Sequence, residues 1–210
     1  MGYEKKIVIE TNSAENKYCE CNFPKTLKGK GPIKLLFLAR IEEEKGIKIA
    51  LDALTILNRE IPGKYELYVA GTGSLKEEIQ QLCSKRNDTI WVGYVTNEKK
   101  HQLLDKSHVM LFPTYYPEGM PITLLEAVMY GMPIVSRPVG GISDLIVNNE
   151  NGFLTSSLDP REFAVKIDDL TKSEDFYRNI STNNIEKSKL FMPENVRTRL
   201  MNIYKQTYGE

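Results

Sequence analysis

Residues 117–136 read PEGMPITLLEAVMYGMPIVS, and this stretch carries the reading of the fold. Pro117, Gly119 and Pro121 keep its first residues in a loop, and Pro121 suits the first position of a helix because it needs no N–H partner there. The helix runs to Tyr130 and Gly131 stops it. A short apolar strand follows at 133–136, and the run HVMLF at 108–112 reads as the strand before it. Strand, helix and strand at this spacing make a βαβ unit, which implies parallel strands. On the helix, Ile122, Leu125, Glu126 and Met129 fall at i, i+3, i+4 and i+7, so a carboxylate sits on an apolar face. An unpaired buried carboxylate is costly. Glu126 therefore needs a donor, and spacing leaves two open: a structural partner or a ligand hydroxyl.

The same alternation extends both ways. Upstream, strands are expected at 34–39 (KLLFLA), 65–70 (YELYVA) and 89–92, with helices at 46–58, from Ser74 to about 85, and at 97–106. Ser74 and Glu77 have capping-box spacing. Downstream, a short helix from Ile142, a strand at 152–155 and helices at 160–171, 174–190 and 194–207 complete the chain. This is an α/β pattern: a Rossmann-like open parallel sheet with helices on both faces. Residues 32–210 form that domain. Residues 1–31 are polar and aperiodic and read as linker or edge, with a short strand at Ile7-Val8-Ile9.

Composition narrows the function. Lys and Arg total 28 and so do Asp and Glu, so no global field attracts nucleic acid or anionic lipid. Cys19, Cys21 and Cys83 make neither a disulfide framework nor a zinc site, and read as free thiols of a reducing compartment. No apolar run reaches the roughly 20 residues of a membrane span. The expectation is a cytoplasmic protein that reaches the inner face of a membrane only through parts outside these residues.

Ligands of open α/β sheets bind beyond the carboxyl ends of the strands. There this chain places Arg40 and Lys45-Gly46, then Gly71-Thr72-Gly73-Ser74, then Gly93, then the loop Pro113 to Met120, then Ser136 to Gly141. Cations, glycine turns and helix N-termini suit a diphosphate ester. Taken singly, Gly71-x-Gly73 and Gly140-Gly141 are ordinary turns. Arg40 and Lys45 alone read as solvated charges able to pair with Glu42 to Glu44. Tyr115 and Tyr116 are packing residues or a cleft wall. His101, in an exposed-looking helix, and His108, opening a strand, have no assigned role. Glu118 is a loop carboxylate just before a helix N-terminus at the sheet edge.

Glu118 and Glu126 form a Glu-x7-Glu pair, and PEGMPITLLEAVMYGMPIVS resembles the signature of the group 1 (family 4) retaining glycosyltransferases. ARIEEEKG resembles their Arg-x4-Lys-Gly segment and VAGTGSL their glycine turn; WVGYV, VGGISDLI and NNENGFLT onward match in order over about 33–207. Two departures stand out: Ala39 where the family often has Gly, and Asp144 where it often has Glu.

The resemblance implies the carboxyl-terminal, donor-binding half of a GT-B fold, with the amino-terminal acceptor domain absent from the chain. Arg40 and Lys45 are then expected on the donor diphosphate, stabilising the leaving group without a metal or other cofactor. Glu118, with the backbone of Gly119 and Met120, is expected on the donor sugar, and Glu126 on the ribose. The backbone from Gly93 to Val95 is expected at the base, and Gly71, Gly73, Gly140 and Gly141 around the donor. The implied partners are a UDP-, GDP- or ADP-hexose and a glycan or lipid-linked acceptor, with retention at the anomeric carbon. Two other classes compete: a nucleotide-sugar epimerase or phosphorylase, and a non-catalytic nucleotide-binding module. An epimerase needs acid–base groups and a phosphorylase of the best-known type a lysine-bound pyridoxal phosphate; no motif for either is present.

Overall fold

The structure is a computed structural model and describes residues 23–29 and 31–208. The strand expected at Ile7-Val8-Ile9, most of the proposed linker, and Cys19 and Cys21 lie outside the described residues. Six strands form one all-parallel sheet: β1 (Ile33–Leu38), β2 (Tyr65–Ala70), β3 (Thr89–Gly93), β4 (Val109–Phe112), β5 (Ile134–Ser136) and β6 (Gly152–Leu154). Their order is β3-β2-β1-β4-β5-β6. This is the doubly wound order, and its direction reverses between β1 and β4.

The helices are α1 (Ile47–Glu60), α2 (Lys76–Ser84), α3 (Asn97–Lys106), α4 (Ile122–Met129), α5 (Ile142–Leu145), α6 (Pro160–Thr171), α7 (Glu174–Ser188) and α8 (Pro193–Tyr208). Alternation along β1 sorts them into two layers. Leu35 and Phe37 enter one core with Ile47, Leu54, Ile79, Phe163 and Tyr177 from α1, α2, α6 and α7. Leu36 and Leu38 enter the other with Leu104, Leu124, Leu125 and Ile142 from α3, α4 and α5. Both faces of the sheet are thus covered, as continuous apolar strands require.

Several local expectations need correction. The Ser74–Glu77 capping box does not form: Leu75 is the N-cap of α2 and no side chain caps it. Ser74 instead gives its backbone N–H and hydroxyl to the two carboxylate oxygens of Glu42, a stronger acceptor supplied by the neighbouring turn. Pro121 is the N-cap of α4, one position before the first helical residue. Ile122 is 52% exposed, because α4 packs through Leu124 to Met129 and its first turn faces the sheet edge. His101 is not on an exposed face; it is buried and bonded to the Tyr130 hydroxyl at 2.7 Å. Near the start of the described chain, Leu27 packs on the first core, and Lys25 N–H donates to the Ser181 hydroxyl of α7 at 2.8 Å.

Candidate functional site

Because every strand runs parallel, the segments after β1 to β5 emerge along one edge. Backbone bonds then fasten them together. Ile41 N–H donates to Thr72 O at 2.9 Å and Gly71 N–H to Gly93 O at 2.9 Å, which ties the exits of β1, β2 and β3. Across the switch point, Glu44 O accepts from Tyr115 N–H at 2.9 Å, from Tyr116 N–H at 3.2 Å and from the Thr114 hydroxyl at 3.2 Å. This carbonyl joins the turn after β1 to the loop after β4.

That junction brings Lys45 to Glu118. The Lys45 ammonium lies 2.6 Å from Glu118 Oε1, with side-chain exposures of 8% and 11%. The Thr114 hydroxyl lies 3.1 Å from the same oxygen, so its single proton is divided between Glu118 Oε1 and Glu44 O. Lys45 is therefore not a solvated charge, and it pairs across the switch point rather than with Glu42, Glu43 or Glu44. Tyr116 covers it: the ammonium is 4.2 Å from the ring centroid and the exposed Arg40 guanidinium is 5.6 Å from it, both within cation–π range. Glu42 is held below the usual carboxylate range by the Ser74 hydroxyl and backbone N–H, and Glu43 pairs with Lys48 at 3.0 Å.

Beside this pair, a cavity of about 280 Å³ opens at the same edge. Its walls include Arg40, Gly71, Tyr94, Val95, Lys100 and Glu126. Glu126 is 8% exposed, and its Oε1 accepts from the Lys100 ammonium. The donor its position on α4 requires is thus a lysine of α3, while the carboxylate still borders the cavity. Gly71 has φ +145, and a Cβ there would lie 1.8 Å from Ala39 O, so this crossing of the β1 and β2 exits admits only glycine.

The other expected positions fall around these two centres. Gly73 abuts Ile41 O, and Gly93 supplies the carbonyl that Gly71 binds. Gly119 has open space about it, and Met120 packs against the α3–α4 core. Gly140 has φ +55, and a Cβ there would lie 1.8 Å from Glu118 O; Gly141 N–H donates to Gly119 O at 2.9 Å. The loop after β5 thereby buttresses the loop that carries Glu118. Arg137 turns away, to the carbonyls of Ser156 and Ser157. Lys100, in a helix rich in charge, carried no sequence signal, while Thr114 lay in the loop expected at this edge without a role of its own. The cavity of about 550 Å³ between Pro32, Asn58 and Arg86 lies at the opposite, amino-terminal edge of the strands.

Comparison with known proteins bears on the family and the fold. The profile of the family "Glycosyl transferases group 1" matches residues 20–187. The match begins before the start of the resemblance at about 33, within the segment read as linker. The amylovoran biosynthesis glycosyltransferase AmsK of Erwinia amylovora is 30% identical over 151 residues, covering 68% of this chain and 37% of that protein. The crystal structure of Anabaena HepE in complex with UDP superposes with a TM-score of 0.73 at 20% identity, covering 84% of this chain and 49% of that one. The C-terminal domain of the group 1 glycosyl transferase LpcC from Francisella tularensis superposes with a TM-score of 0.66 at 19% identity, covering 85% of this chain and 93% of that one. The chain thus spans well under half the length of AmsK. With a profile match over most of its length, the chain belongs to the group 1 glycosyl transferases.

Proposed function

We propose that this chain is the donor-binding half of a transferase that moves a hexose from a nucleoside diphosphate to a glycan or lipid-linked glycan with retention at the anomeric carbon. The observation that carries the reading is the convergence of Arg40, the Lys45–Glu118 pair and Glu126 at the β1–β4 switch point, beside one cavity. Arg40 and Lys45 neutralise the diphosphate, and their charge becomes most valuable as the leaving group departs. Glu118, already fixed by Lys45 and Thr114, orients the sugar hydroxyls with the backbone of Gly119 and Met120. Glu126 accepts from the ribose, and the Gly93 to Val95 backbone meets the base. The base is uracil in this reading, after the UDP bound by Anabaena HepE, and AmsK suggests polysaccharide synthesis as the setting.

Acid–base chemistry on the sugar, as an epimerase requires, finds no support in the histidines. His101 is committed to Tyr130, and His108 sits at the amino-terminal end of β4, where its Nδ1 accepts from Lys34 N–H at 2.9 Å. The acceptor wall belongs to a partner domain in this reading, so the 210 residues alone bind donor but transfer negligibly. The test is a radiolabelled UDP-sugar assay with glycolipid acceptors, on this chain and on the protein joined to an acceptor domain. Acceptor-dependent transfer by the joined protein only, with NMR showing an unchanged anomeric configuration, supports the reading. Robust transfer by these residues alone contradicts it.

A further inference from the structure

Glu126 and Lys100 reach the cavity from different helices, α4 and α3. The ammonium holds Oε1, and among the described residues Oε2 has no hydrogen-bond partner. Lys100 keeps a quarter of its side chain exposed, at 26% against 10% for Glu126. An ammonium has three N–H donors and no acceptor; a carboxylate has acceptors and no donor. The pair therefore offers the cavity an unused acceptor beside an unused charged donor, fixed to each other and bordered by Tyr94 and Val95.

A ribose diol has the complementary pattern, because each hydroxyl both donates and accepts. A carboxylate alone satisfies only the donating half. We propose that Lys100 is a further donor-binding residue, and that Lys100 and Glu126 together read the vicinal hydroxyls of the ribose. Oε2 of Glu126 accepts from the 3′-hydroxyl while a free N–H of Lys100 donates to the 2′-hydroxyl, and the salt bridge stays closed. The inference rests on the assignment of Glu126 to the ribose. Its consequence is selectivity. A 2′-deoxyribose leaves a charged N–H unanswered in a partly dry site, which costs about tenfold in affinity.

The experiment is calorimetric titration of the chain with UDP and with 2′-deoxy-UDP, repeated for Lys100→Met, Lys100→Arg and Glu126→Ala, with ligand-free melting temperatures as the fold control. The wild type is expected to prefer UDP by about tenfold. Lys100→Met is expected to bring the ratio close to one by weakening UDP more than its deoxy analogue, and Lys100→Arg, which keeps a cationic donor, to hold a preference above about threefold. An unchanged ratio in Lys100→Met overturns the proposal. So does tighter UDP binding by that variant, which would make Lys100 a plug that the ribose must displace. A wild type without a preference overturns it as well. The two readings fail separately. If Glu126→Ala binds UDP as the wild type does, the ribose assignment falls; if that variant loses UDP while Lys100→Met keeps the ratio, only the role of Lys100 falls. A wild type that binds neither nucleotide removes both.

Discussion

The Lys45 ammonium and the Glu118 carboxylate meet at 2.6 Å across the switch point of the sheet, nearly enclosed by the Tyr116 ring and the Thr114 hydroxyl. Two groups of the proposed donor site are thus preset before any donor arrives. Their cost is the desolvation of both charges, which the pairing offsets. Removing one partner leaves the other charge enclosed and alone. Lys45→Ala is therefore expected to destabilise the ligand-free fold by about 1–3 kcal/mol, and Glu118→Gln in the same background to restore part of that loss. Urea denaturation of the two single variants and the double variant measures the coupling. Additive effects would mean that the pair contributes little.

Gly140 sits where a side chain has no room. Its φ of +55 and the 1.8 Å separation that a Cβ would have from Glu118 O mean that Gly140→Ala must shift one of two backbones. The expected cost is about 1–3 kcal/mol. Because the loop that would move carries Glu118, donor-sugar affinity should fall further than the affinity for the bare nucleotide. Titration with UDP and a UDP-sugar separates the two effects.

Glu126 gives a contrasting case. It borders the cavity and its partner is a lysine with a quarter of its side chain exposed rather than a core group. Glu126→Ala is expected to lower nucleotide affinity about tenfold or more while changing ligand-free stability by about 1 kcal/mol or less. A large drop in melting temperature with unchanged affinity would assign Glu126 to the fold instead.

His108 predicts a pH dependence unrelated to the donor. Burial, with Lys25 and Lys34 nearby, pushes its imidazole down to about 4 from an ordinary value near 6.5. The folded state holds it neutral, accepting from Lys34 N–H. An unfolded chain takes up this proton below about pH 6.5, so its stabilising contribution is complete above that value and is lost as pH falls from 6.5 toward 4. The loss is of order 1–2 kcal/mol once partial exposure is allowed for. His108→Asn, whose amide oxygen mimics Nδ1, should flatten that part of the stability curve. An unchanged slope would place the titrating group elsewhere.

What was legible in the sequence divides along physical lines. The strand at Tyr65–Ala70 was readable to the residue, because Pro62-Gly63 and Gly71 flank its apolar run. The helix at Asn97–Lys106 was readable from its position between strands, and that at about 160–171 from its position after the last one. The edge that gathers Arg40, Gly71, Glu118 and Glu126 was readable too, since it follows from parallel strands alone. The partners were not. Lys45 meets Glu118, 73 residues away, because Glu44 O fastens the turn after β1 to the loop after β4. Ser74 leaves its helix for Glu42, and Lys100 crosses from α3 to Glu126; each is a tertiary choice between acceptors that local spacing presents as equal. Ile122 has the periodicity of a buried residue, yet its turn ends at the open edge of the sheet.

The most direct test of the donor site is calorimetric titration of this chain with UDP, GDP and ADP, repeated with Arg40→Ala and Glu126→Ala. The account predicts selective binding of UDP that falls about tenfold or more in each variant while the ligand-free fold persists. Binding that is indifferent to both substitutions, or no nucleotide binding at all, would contradict it.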